Sequence, residues 1–102
     1  MTLDPHAALR DEVLEGVLRG SGESNPSIRV AAAEGPDAAG IPTDLKTLIE
    51  KIHRCAYTVT DDDVARLPPV YGDDKLFEII VSAALGASRK RLLAGLAALE
   101  AA

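Results

Sequence analysis

At 102 residues the chain has the length of a single domain with room for a real core, and at 47% hydrophobic and 26% charged it is too apolar for disorder. A formal net charge of -5 argues against nucleic acid or an anionic membrane as the main partner, because both require a basic footprint. Aromatic residues make up only 3% with no Trp, which leaves little on which bases or sugars would stack.

The N-terminal run MTLDPHAALRDE has no basic segment followed by an apolar one, so no signal peptide is expected and the expected location is cytoplasmic. Asp4-Pro5 predicts a helix start, with Leu9, Val13, Leu14, Val17 and Leu18 at helical spacing and Gly20 as the end. Asn25-Pro26 predicts a second, short helix through about Glu34. The stretch from Gly35-Pro36 to Gly40-Ile41-Pro42 reads as a linker. It divides an N-terminal helical arm (1–36) from a helical core (37–102) within one domain overall.

Thr43 or Asp44 opens a third helix with Leu45, Leu48, Ile49, Ile52, Cys55 and Ala56 on one face. Thr60 caps a short acidic helix that Pro68-Pro69 ends, and Gly72-Asp73 turns into a long C-terminal helix over 73–100. No stretch alternates long enough to form a convincing strand, so the fold class is all-α, a bundle of about five helices.

The last helix would be roughly 40 Å long at ~1.5 Å per residue. A compact domain of this size is only about 33 Å across. The helix must bend, protrude or be covered by another subunit. Phe77, Ile80, Val81, Ala84 and Leu85 form one predicted apolar stripe, and Leu92, Leu93, Leu96 and Leu99 a second. Between them 82–88 is built of small residues, which suits a close crossing with another helix, either of the same chain or of a second subunit. A homo-oligomer formed through this helix is expected, and its C-terminal half is read as covered by a neighbouring subunit around Gly86. The run Leu76 to Leu85 is too short to span a bilayer.

Chemistry is sparse. The single Cys55 excludes an internal disulfide framework and a Cys-only metal site. It lies at the edge of the buried stripe, with Lys51 one turn before it as a candidate activator; the alternatives are an inert half-buried thiol and a reactive one. Glu50, His53 and Arg54 share the other side of the same helix, either as a small acid-base cluster or as a solvated face. Cys55, His53 and Glu50 are therefore the candidate catalytic residues. The acids Asp61 to Asp63 and Asp73-Asp74 sit at helix starts, where carboxylates act as caps, and they lack the spacing of a calcium loop. Arg89-Lys90-Arg91 points in three directions and reads as a solvated face or an oligomer contact. No cofactor and no metal are called for.

The segments IEKIHRCAYTVTDDDVARL and YGDDKLFEIIVSAALGASRKRLLAGLAALE, about half the chain, resemble the alkylhydroperoxidase D-like family, related to the carboxymuconolactone decarboxylases. The resemblance implies a shared helical fold and assembly through interdigitated helices. Family peroxidases carry a Cys-x-x-Cys pair, a histidine four residues later and an upstream glutamate. Here Cys55 matches the first cysteine, Thr58 stands in place of the second, Asp62 in place of the histidine and Thr43 near the glutamate position. A dithiol cycle needs two thiols, so peroxidase chemistry does not carry over. The sequence leaves three readings: an oligomeric binding or accessory module, a cofactor-free lyase or isomerase using Glu50 and His53 on a small-molecule ligand, and a single-cysteine redox protein.

Overall fold

Helices carry most of residues 5–101, the part described by the computed structural model, and no strand occurs among them. In chain order they are α1 (Ala7–Arg19), α2 (Pro26–Glu34), α3 (Thr43–Cys55), a 3-10 turn (Ala56–Thr58), α4 (Asp61–Ala65), α5 (Pro68–Tyr71) and α6 (Asp73–Ala101). The all-α class and the long C-terminal helix are as expected. The expected cap at Asp4 lies outside the described residues.

Local chemistry accounts for the boundaries. Asn25 accepts the Ser27 N–H at 2.8 Å ahead of Pro26, so α2 starts with a side-chain cap. Thr60 and Asp63 form a reciprocal capping box at α4, whose first turn holds Asp61, Asp62 and Asp63. Pro68 and Pro69 do more than end α4. They occupy the first two positions of the one-turn helix α5, where a missing N–H costs nothing.

The core is assembled from the predicted face of α3 (Leu45, Leu48, Ile49 and Ile52), Leu67 ahead of α5, Ala32 of α2, and Leu76, Ile79 and Ala83 of α6. The face that α6 buries differs from the expected one. It consists of Leu76, Ile79, Ser82, Ala83, Gly86 and Ala87; of the predicted stripe, Phe77 and Ala84 are exposed, Val81 and Leu85 half-buried, and Ile80 alone packs against the core. Size is the reason. The α2 helix presents Ala31, Ala32 and Ala33 to α6, and only small side chains let the two backbones approach. A Cβ on Gly86 would come within 2.1 Å of the Ala33 carbonyl oxygen. The small segment is thus a crossing within the chain, and α2, not a neighbouring subunit, covers Gly86.

A buried charge pair fixes the entry to α2. Arg29, only 3% exposed, donates from Nη1 to Val17 O (2.7 Å) and from Nη2 to Gly20 O (2.6 Å), satisfying carbonyls at the end of α1. Glu78 of α6 faces it at 4.0 Å and accepts from Ser24 Oγ (2.6 Å), Ser24 N (3.0 Å) and Glu23 N (2.8 Å). Gly22 makes room for this carboxylate, since a Cβ there would sit 2.6 Å from Oε1. These hydrogen bonds, first those from Ser24 and then that from Glu23, lower the Glu78 pKa to about 2.

The second half of α6 runs beyond the buried core, with α1 alongside it. Overall dimensions are 49 × 29 × 22 Å with a radius of gyration of 14.6 Å, above the roughly 13 Å of a compact domain of this length.

Gly86→Ala is expected to destabilise the fold by about 1–3 kcal/mol through overpacking against Ala33, despite alanine's better helix propensity. Gly16→Ala, where a Cβ meets nothing within 4 Å, should stabilise by up to ~1 kcal/mol. Urea unfolding of both variants checks the pair. Because the folded pKa of Glu78 is depressed, its stabilisation is complete above the unfolded value near 4.3 and is lost as pH falls toward 2. Glu78→Gln should therefore flatten the loss of stability between pH 5 and pH 2, measured by urea midpoints.

Candidate functional site

The buried stripe of α3 sets the direction of every polar side chain on that helix. His53 turns toward α2, where its Nε2 lies 2.7 Å from the carbonyl oxygen of Ala32. A carbonyl can only accept, so Nε2 carries the proton and Nδ1 is the acceptor of the neutral ring. Burial lowers the His53 pKa below its usual 6.5. The bond to Ala32 opposes that, and the charges of Lys90 and Arg91 add to it.

His53 borders a cavity of about 480 Å³ that it shares with Glu34, Pro36, Asp37, Arg54 and Lys90, at the C-terminal end of α2. Lys90 closes one wall by donating from Nζ to the carbonyl of Glu34, the last residue of α2. Arg91 Nη2 donates to the His53 carbonyl at 2.7 Å, and Arg89 Nη2 to Asp11 Oδ1 of α1 at 3.4 Å. The basic triplet does point in three directions, but each cation is used inside the chain. Lys90 and Arg91 meet carbonyls in the last turns of α2 and α3, where positive charge is favoured.

The other candidate residues are not gathered around His53. Glu50 pairs with Arg54 one turn later at 3.5 Å and does not line the cavity. Cys55 is half-buried at the end of α3, with its carbonyl accepting from Thr58 Oγ1 at 2.6 Å. Lys51, the candidate activator of the thiol, donates instead to Asp63 Oδ2 at 2.7 Å. That bond, together with the Thr60 N–H, takes the Asp63 pKa down to about 2. Thr43 stands at the first position of α3, a whole helix from Cys55, and Asp62 is exposed on α4. What the cavity offers chemically is one imidazole whose Nδ1 can take a proton and the lining carboxylates of Glu34 and Asp37, beside cations already held by a carbonyl and a carboxylate.

The larger surface feature is apolar. Along the outer side of α6, Phe77 is 68% exposed, Leu92 41% and Leu99 65%, and in the neighbouring α1 Leu9 and Val13 are exposed as well. Between the two helices runs an open groove of about 350 Å³ lined by Val13, Leu14, Leu85, Ser88 and Leu92, with Arg10 and Arg89 at its sides. The Phe77 stripe was visible in the sequence as an apolar face. Its freedom was not, and the signal for it was the set of small residues on the other side of the same helix. No helix among the described residues is long and apolar enough to cross a membrane. Comparisons with family models, with curated proteins and with solved structures find no match to this chain.

A two-dimensional NMR titration of the imidazoles should give His53 an inflection below 6.5. With the folded pKa below the unfolded value, the folded form favours the neutral ring. Stability contributed by His53 is present above pH ~6.5 and declines as pH falls through the folded pKa.

Proposed function

We propose that this chain is an oligomeric binding or accessory module with a helical fold like that of the alkylhydroperoxidase D-like proteins and without their dithiol peroxidase activity. The observation that carries the reading is the uncovered apolar face running along α6 and onto α1. Large apolar side chains concentrated on one exposed face mark an interaction surface, whereas singly scattered ones need no explanation. Thr58 in place of the second cysteine supports the absence of thiol peroxidase turnover, because Cys55 then has no resolving partner within the chain.

A second reading is favoured by the position of His53. A cofactor-free lyase or isomerase needs a proton acceptor near neutral pH beside a cavity, and His53 Nδ1 is such a group. Glu50, held by Arg54 outside that cavity, does not act with it. His53 would then act without its expected partner, which makes this reading the weaker of the two.

Sedimentation equilibrium across micromolar concentrations tests the first reading: a dimer or higher oligomer is expected, and a folded monomer at tens of micromolar would overturn it. Phe77→Glu with Leu92→Glu should weaken association tenfold or more while helix content by circular dichroism stays the same. Peroxide consumption with a dihydrolipoyl reductant should not exceed the protein-free rate.

A further inference from the structure

On α6 the residues diametrically opposite the core are Phe77, Val81, Ala84, Ser88, Leu92, Gly95 and Leu99. None is charged, and every one is exposed or half-buried. Their intervals run four, three, four and then four, three, four again, an eleven-residue repeat from Phe77 to Ser88 to Leu99. Such a repeat, at about 3.67 residues per turn, drifts slightly right-handed around the helix instead of following the left-handed supercoil of a seven-residue repeat. A helix that is apolar on both sides is one that is buried on both sides.

The stripe is also complementary to its own reverse. Turned end for end about Ser88, Phe77 meets Leu99, Val81 meets Gly95, Ala84 meets Leu92, and Ser88 meets itself. Two of these three unlike pairings set a large side chain against a small one. Gly95 has no role within the chain: a Cβ there meets nothing within 4 Å, and glycine is a poor residue for an exposed helix interior. Opposite Val81 of a second copy it provides the space the contact needs.

We propose that two copies of this chain associate through antiparallel α6 helices, with the two-fold axis at Ser88 and with Leu9 and Val13 of α1 flanking the contact. The proposal rests on the self-association reading above and adds to it the partner and the register. The stripe spans about 33 Å at ~1.5 Å per residue. With the α1 residues it offers roughly 500 Å² per copy, so about 1,000 Å² in total, near the lower bound for a specific interface.

The test is site-directed crosslinking of the full chain in a Cys55→Ser background, with diamide as the two-electron oxidant. Ser88→Cys should form a disulfide-linked dimer almost completely. Val81→Cys and Gly95→Cys should crosslink when mixed and not singly. Gly95→Leu, which favours the helix, should weaken dimerisation at least tenfold by sedimentation. A dimer in which Ser88→Cys stays reduced, in which Val81→Cys alone crosslinks, or which Gly95→Leu leaves intact overturns this register and leaves self-association standing. A monomer at tens of micromolar overturns both.

Discussion

The backbone approach of α2 to α6 at Ala33 and Gly86 is the contact on which the rest of the arrangement depends. Only glycine permits it, and it decides which side of α6 faces inward. With that side committed to Ser82, Ala83, Gly86 and Ala87, the helix has no large apolar residue to offer α2. The bulky side chains on its inner surface, Leu76 and Ile79, are confined to the first two turns, where they meet α3. Of the large residues in the predicted stripe, Phe77 is turned fully outward, Val81 and Leu85 are half-buried, and only Ile80 reaches the core. The core and the exposed apolar face are therefore two consequences of one close crossing.

That crossing also determines where the charges go. Bringing α2 against the middle of α6 places its C-terminal carbonyls beside residues 89–91 and its N-terminal turn beside Glu78. Carbonyls at a helix end have no partner in their own helix and carry partial negative charge. Lys90 and Arg91 answer that need at α2 and α3, and Arg29 answers it at α1. Glu78 serves the reverse purpose, collecting the free N–H groups of the turn before α2 and balancing Arg29. An acidic protein thus uses several of its cations as internal fasteners. His53 belongs to the same group: it spends Nε2 on a carbonyl of α2, which orients its ring, while burial and the nearby cations hold its pKa below the usual value.

Much of the fold was legible from residue spacing. The α2 and α6 boundaries, the capping role of Thr60, and the buried face of α3 all follow from local rules that need no knowledge of the partner helix. The register of α6 did not follow, because hydrophobicity alone favours Phe77, Ile80 and Val81 over a row of alanines, serine and glycine. What decides that competition is distance between backbones, a tertiary quantity. The candidate site was legible only in part. Helical geometry correctly separated His53 from Cys55, but it grouped Glu50 with His53, and it could not show that Asp63, twelve residues away, takes Lys51. Side chains as long as Lys, Arg and Glu reach partners on other elements, so their pairing is set by the packing of helices rather than by spacing along one.

The close crossing also bears on why α6 is so long. Its first half would suffice to close the core, since the buried face ends at Ala87. The remaining turns add Leu92, Leu93, Leu96 and Leu99, none of them fully buried within the chain, and burying each large side chain completely is worth about 1.5–3 kcal/mol. Packing beside α1 recovers part of that, and the rest is recovered only if something outside the chain covers the extension. A rod whose inner face is fixed by Gly86 can offer its outer face in one orientation only, because rotating the helix would drive a side chain into Ala33. The crossing that holds the monomer together thereby also holds the outer stripe in place for whatever binds it.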